Sequence, residues 1–410
     1  MDRTYLPRAA DAVLVDMVGE HAAVLVIGPR AAGKTTTCER LAATSIRLGN
    51  GRQAAAASAD PPAIIRGRPS PVLIDEWQIV PGMLSAIKEQ VDQDERPGQF
   101  IVTGSVRGDI DAPTWPGTGR LIRLPMYGLT EREIERRLTR GSWIDRILGP
   151  DRFECTSDLD LREYVEPALR SGFPEPALRL GDSGRRRWLA SYVDQLVTRD
   201  AMDGEAGRDP VRLRRYLEVL AINSAGVVDG VTLYESAGIN KLTARAYDQL
   251  LQNLLVVEKV LSWTSNRLKR MVLAAKRYLV DPGLFAGVLG FTVDDVLGDG
   301  DVLGRVLDTF VMAQLRSECA LRSVPPRLFH LRTQQGRHEV DLVIEMRPRK
   351  LIAIEVKATS RPSLHDAAHL HWLKDELGDQ VAAAVVLHTG GHTADLGRGV
   401  LALPIESLWS

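Results

Sequence analysis

Residues 28–35 read GPRAAGKT and match the pattern G-x-x-x-x-G-K-[ST]. Each residue type at that spacing has a task around a polyphosphate. In the loop Gly28-Pro29-Arg30-Ala31-Ala32-Gly33 the two glycines permit a tight turn that aims successive backbone N–H groups at phosphate oxygens. Lys34 reaches the β- and γ-phosphates, the Thr35 hydroxyl ligates Mg²⁺, and Thr36 opens a helix whose N-terminus adds partial positive charge. Further along, Asp75 and Glu76 follow the apolar run Val72-Leu73-Ile74. Asp75 would hold Mg²⁺ through water, and Glu76 would orient or deprotonate the water that attacks the γ-phosphate. The bland alternative for such a pair is a strand end with solvated carboxylates. Ser105 is the candidate γ-phosphate sensor, and Arg120 would neutralise transition-state charge, in cis or from a neighbouring subunit.

The C-terminal part offers a second set. Asp341 follows the strand-like LFHLRT, and Glu355-Val356-Lys357 closes an apolar run. An Asp at the start of a hairpin beside E-x-K can share Mg²⁺ between two carboxylates while the lysine helps to activate water. Asp308, on a helix read over Gly304–Ser317, or Glu339 would add a further acid. The same residues can equally be ion pairs on an inactive scaffold. His365, His369 and His371 read as surface or packing histidines.

These side chains need elements to position them. Ala22–Ile27 (AAVLVI) is of buried-strand type and residues 36–41 begin a helix, so the Gly-rich loop lies between strand and helix. Val72–Ile74 and Gln99–Ser105 (QFIVTGS) are further strands, and the carboxyl ends of such strands line the ligand crevice of open α/β sheets. The arginine-rich stretch 131–146 reads as a helical lid, and Leu161–Arg170 and Arg185–Val197 as helices. The cluster Gly184–Trp188 (GRRRW) is either a solvated helix start or a phosphate contact. Val211–Asn223, a short helix capped by Thr232, the loop GIN and Lys241–Leu251 succeed one another as a helix-turn-helix. On the last helix Leu242, Ala246 and Leu250 read as the packed face, with Lys241, Thr243, Arg245 and Gln249 opposite. Residues 256–263, 267–273 and 277–280 alternate like a wing rimmed by Arg267, Lys269 and Arg270, with Lys276 and Arg277 adding to it. Such a module binds duplex DNA or a protein partner.

The chain has 410 residues, 44% hydrophobic and 26% charged, with net charge −1, so two to four ordinary globular domains are expected and any basic surface is local. Three dispersed cysteines, Cys38, Cys155 and Cys319, make no disulfide framework or zinc ribbon and suit a reducing cytoplasm. No run approaches a membrane span, and the first residues lack the apolar core of a secretory signal. A cytoplasmic location with no membrane partner is expected.

Taken in order, the motifs resemble the prokaryotic AAA-type ATPases that carry a conserved C-terminal region of uncharacterised function. The matching pieces are YLPR at Tyr5, GPRAAGKT, VLIDEWQIVP at Val72, VTGS at Val102, TGRLIRLPMYGLTEREI at Thr118, SGFPEP at Ser171, WLASYVDQLVTRD at Trp188, KRYLVDPGL at Lys276, EVDLVIE at Glu339 and IAIEVKA at Ile352. The resemblance implies an α/β fold class. Residues 1–155 would be an AAA-type P-loop ATPase domain with a small lid, 156–290 a helical and winged-helix-like domain, and 291–410 a restriction-endonuclease-like α/β domain. Asp308 stands where members of that family usually carry Glu, a residue one methylene longer.

The function expected from this reading is Mg²⁺-dependent ATP hydrolysis coupled to DNA binding or processing. The alternative is an ATP-switched protein-interaction or remodelling ATPase whose nuclease-like part is an inactive scaffold. A homo-oligomer is required if Arg120 acts in trans.

Overall fold

The short Val/Ile/Leu runs of the N-terminal third do not alternate with polar residues, which is what strands covered on both faces look like. The computed structural model describes residues 5–105, 118–150, 153–202, 209–265, 273–333, 336–346 and 349–410, with side chains up to Thr198 in the helix that ends at Met202. Arg267, Lys269, Arg270 and the central segment of the expected wing lie outside the described residues. Contacts divide the chain into two units, Met1–Leu129 with Leu251–Val256, and Thr130–Leu250 with Val257–Ser410.

In the first unit, strands β1 (Ala23–Ile27), β2 (Thr44–Arg47), β3 (Val72–Asp75), β4 (Phe100–Gly104) and β5 (Leu121–Pro125) form one sheet in the order β2-β3-β4-β1-β5. Every pairing is parallel. The three central strands are buried at every residue, whereas edge strands β2 and β5 keep exposed positions. The helices are α1 (Ala10–Glu20), α2 (Lys34–Glu39), α3 (Gly51–Ala59), α4 (Pro61–Ile65) and α5 (Gly82–Gln93). Leu25, Ile74, Trp77, Ile87, Phe100 and Val102 lie in the core, which Leu255 joins from the later segment. The strand order has a direct consequence for chemistry. With β4 between β1 and β3, its end is placed between the Gly-rich loop and the Asp75-Glu76 pair.

The second unit begins with two short helices, α6 (Glu131–Ile134) and α7 (Trp143–Leu148), in the stretch read as a helical lid over 131–146. The sequence carries two separate start signals there. Thr130 and Glu133 form a capping box, and Ser142 caps the second helix through Asp145 N–H. Arg136 with φ 57° breaks the chain between them. Next come α8 (Leu161–Arg170), α9 (Pro174–Leu178), α10 (Asp182–Met202), α11 (Pro210–Ile222), α12 (Gly230–Ser236) and α13 (Lys241–Asn253). The cap of α12 is Asp229, which accepts from Thr232 N–H, rather than Thr232 itself. On α13 the buried positions are Ala244, Tyr247, Leu250 and Leu251, while Leu242 is 78% exposed. The packed face is therefore rotated from the expected one. Tyr247 sets it, its ring 6.2 Å from that of Tyr216 on α11.

Strands β6 (Val257–Val260) and β7 (Lys276–Leu279) pair antiparallel. They precede α14 (Leu284–Leu289), α15 (Val293–Gly298) and the long α16 (Gly300–Ala320). The remaining elements are β8 (Arg327–Arg332), β9 (Glu339–Met346), β10 (Lys350–Lys357), α17 (Ala368–Leu377), β11 (Val381–His388), β12 (Ala394–Asp395) and β13 (Val400–Pro404). Their sheet runs β12-β13-β11-β10-β9-β8, with parallel pairs β10/β11 and β11/β13 and antiparallel pairs elsewhere. Asp281 joins two sequence motifs of this unit. It is buried and accepts from Gly172 N–H and Gly283 N–H, each at 2.8 Å, where the chain turns at Ser171 with φ 78°.

Candidate nucleotide site and a buried carboxylate cluster

The loop from Gly28 to Gly33 leaves β1 and enters α2. Gly28 is required by a close approach, since a Cβ there would sit 1.8 Å from the carbonyl oxygen of Met126. Gly33 has φ 93° and Ala31 φ 61°, so two residues of the loop are left-handed. Pro29 and Ala32 are buried, Arg30 is half-buried, and Ala31 and Thr36 are exposed. Lys34 is 5% exposed, and its Nζ donates to the carbonyls of Gly28 at 2.9 Å and Pro29 at 2.8 Å. Burial pulls its pKa down to about 8 against the opposing charges of Glu76 and Asp75.

The Asp75 Oδ1 accepts from Thr35 Oγ1 at 2.7 Å and from Thr103 Oγ1 at 2.6 Å. A hydroxyl and a carboxylate thus converge at the helix start, a hard-oxygen set of the kind Mg²⁺ takes. The residues fit that ion. Glu76 has φ 59°, a left-handed geometry fixed by its N–H donating to Thr103 Oγ1 at 3.2 Å. Its Oε2 accepts from Ser105 Oγ at 3.1 Å and also from Gln78 Nε2. Lys34, Thr35, Asp75, Glu76 and Ser105 therefore belong to one constellation, with Thr103 as the link between the two acids.

Arg120 is placed elsewhere. It precedes β5, whose first residue pairs with Ala23 at the start of β1, whereas the Gly-rich loop follows the end of β1. Five strand residues separate those ends, roughly 17 Å. Its Nε bonds Asp92 on α5 at 2.6 Å. The cis role is corrected on this geometry. Sequence reading also gave Arg8 no task. It is 7% exposed and donates to the carbonyls of Ala32 and Tyr127, each at 2.9 Å, fastening the loop to the chain beyond β5. The YLPR motif was its only signal.

In the second unit Lys276 of β7 is 1% exposed, not part of a basic rim. Its Nζ lies 2.9 Å from Asp341 Oδ1 and 3.3 Å from Asp308 Oδ2. Tyr278 Oη donates to Asp308 Oδ1 at 3.2 Å, and Val356 N–H to Asp341 Oδ2 at 3.1 Å. Lys357 Nζ bonds Glu355 Oε2 at 2.7 Å. Four of the five residues of the expected second set are thus brought near one another. The fifth, Glu339, pairs with Arg332 at 3.8 Å instead.

Burial raises the Asp308 carboxyl to about 6 despite Lys276. Burial also acts on Asp341, but Lys276 and Lys357 hold it down to about 2. Burial and the Asp341 charge push Glu355 well above the ordinary carboxylate range. Lys276 and Tyr278 were missed because KRYLV reads as an exposed wing strand. Strand alternation puts Lys276 and Tyr278 on one face, and that face is the buried one.

On α13, Lys241 and Arg245 are exposed and Thr243 half-buried. In the GRRRW cluster, Arg185 pairs with Asp182 at 2.9 Å and Trp188 stacks on Tyr192 with centroids 5.2 Å apart. His371 bonds the Gly397 carbonyl at 3.2 Å. Among the described residues, no group of three or more His, Cys, Asp or Glu side chains is arranged to hold a metal ion. Nor, among them, is any helix long and apolar enough to cross a membrane.

The chain is 26% identical over 94% of its length to an uncharacterized protein of Mycobacterium tuberculosis, covering 80% of that protein. An uncharacterized protein of Mycobacterium bovis gives the same figures. A solved Walker-type ATPase of Pyrococcus abyssi is 15% identical with a TM-score of 0.43, covering 71% of this chain and 97% of that one. Residues 161–295 and 303–408 match two domains of unknown function, DUF8612 and DUF4143. Residues 20–135 match the AAA domain, and that match, with the loop and carboxylate geometry above, supports a P-loop nucleotide-binding domain there.

Proposed function

We propose that the first unit binds and hydrolyses ATP with Mg²⁺, and that the second unit turns nucleotide state into contact with another macromolecule. The observation that carries the first part is the junction of Thr35, Asp75, Glu76 and Ser105 beside Lys34. Lys34 and the loop N–H groups bind the phosphates. Thr35 and Asp75 would hold Mg²⁺, which supplies charge neutralisation of the β- and γ-phosphates. Glu76, oriented by Ser105 and Gln78, positions a water and accepts its proton. Arg120 would reach this site only from another copy of the chain.

Residues 1–155, 156–290 and 291–410 are our proposed domains, the second winged-helix-like and the third restriction-endonuclease-like. The succession α11-α12-α13-β6-β7 supports the former and the mixed sheet with Asp341 and Glu355 on adjoining strands supports the latter. The exposed Lys241 and Arg245 favour DNA as the partner. A protein partner is the second reading, favoured by Leu242, a large apolar side chain 78% exposed between them. The test is steady-state ATP hydrolysis with and without duplex DNA. Stimulation lost in Lys241→Ala/Arg245→Ala supports DNA; identical rates with and without DNA refute it and leave the protein-partner reading.

A further inference from the structure

The carboxylates of Asp308, Asp341 and Glu355 come from a helix and two adjoining strands, a placement that suits a divalent ion in a phosphodiesterase. Their oxygens are engaged, save one of Glu355. Asp308 receives Lys276 on one oxygen and Tyr278 on the other. Asp341 receives Lys276 on one and Val356 N–H on the other. Glu355 receives Lys357 on Oε2, and its Oε1 alone is a buried atom with no hydrogen-bond partner. Lys276 is the deciding residue. An ammonium group is buried only when paired, because desolvating it is costly. Lys276 Nζ has two carboxylates within 3.3 Å, so it does for this pair what an ion would do.

We propose that Lys276 is the resident cation of the C-terminal carboxylate cluster, seated between Asp308 and Asp341 where a divalent ion would otherwise bridge them, so that the cluster is a metal-independent electrostatic joint. The ammonium ties β7 to α16 and β9. A divalent ion cannot bridge Asp308 and Asp341 without displacing a side chain that has almost no exposure. An ion shared by Asp308 and Asp341 therefore takes no part in phosphodiester hydrolysis at this cluster. This goes beyond the ATPase reading and does not depend on it.

The probe is Mn²⁺, counted by the loss of its free electron paramagnetic resonance signal on the full chain without nucleotide. Wild type and Asp341→Asn are expected to take up equal numbers of Mn²⁺. Lys276→Met, which keeps the bulk and removes the charge, is expected to gain one ion, and Lys276→Met/Asp341→Asn to lose it again. Thermal melting of each variant shows that it is folded. If Lys276→Met does not fold, the comparison of wild type with Asp341→Asn decides alone. An additional Mn²⁺ in wild type relative to Asp341→Asn overturns the proposal, as does a folded Lys276→Met that gains none. ATP hydrolysis by Lys276→Met, if folded, reports separately on the first unit.

Discussion

Gly28→Ala tests whether the geometry of the loop is what binds the phosphates. The added methyl would lie 1.8 Å from the Met126 carbonyl oxygen and 2.9 Å from its carbon, so one side must move by more than an ångström. Both sides are fastened. Met126 N–H donates to the Ile27 carbonyl at 2.8 Å, and Arg8 holds the adjacent Tyr127 carbonyl at 2.9 Å. Releasing one or two of these bonds costs about 1–3 kcal/mol in stability. A loop displaced by about 1 Å lowers the hydrolysis rate by about 10²-fold. The measurements are thermal melting with and without Mg²⁺-ATP, and single-turnover hydrolysis. The control is Gly19→Ala in the last turn of α1, where an added Cβ meets nothing within 4 Å. It is expected to leave hydrolysis unchanged and to stabilise by up to about 1 kcal/mol. Gly28→Ala with wild-type melting and wild-type hydrolysis would refute the reasoning.

Two further predictions follow from burial. Lys34 is held at about 8, below its ordinary 10.5, so the unfolded chain carries the extra proton between those values and this residue makes stability rise with pH across that window. Phosphate binds the charged form, so affinity for a fluorescent ATP analogue should fall as pH rises through about 8, with proton uptake on binding measurable by calorimetry in buffers of different ionisation enthalpy. Constant affinity up to pH 9.5 would contradict the burial assigned to Lys34. Asp281→Ala leaves the buried N–H of Gly283 and the half-buried N–H of Gly172 without their acceptor and should destabilise by about 1–4 kcal/mol. Urea denaturation reads that loss, and an unchanged midpoint would show that Asp281 is not the joint between the two motifs.

What the sequence disclosed depended on how local each signal was. The phosphate loop, β1, β3 and β4 were legible because apolar runs and a fixed spacing specify them without distant partners. The link through Thr103 was not, because it depends on β4 lying between β1 and β3, a matter of topology. The sequence left Arg120 open between a cis and a trans role for a related reason: proximity in sequence to a site says nothing about which end of a strand a residue occupies. On α13, charge and apolar spacing suggested two faces, but the area of Tyr247 outweighed Leu242 and rotated the helix. Lys276 shows how far patterning can mislead. A lysine in an amphipathic strand reads as solvated unless the acids that will enclose it, here Asp308 and Asp341, are known to be near.

The central claim is ATP hydrolysis at the Lys34–Glu76–Ser105 constellation. Its most direct test is steady-state phosphate release with Mg²⁺-ATP by wild type, Lys34→Ala and Glu76→Gln, with nucleotide binding measured in parallel. Wild type should turn over, Lys34→Ala should lose both binding and turnover, and Glu76→Gln should bind ATP yet fall by about 10²-fold or more in rate. Wild-type turnover by Glu76→Gln would contradict the account.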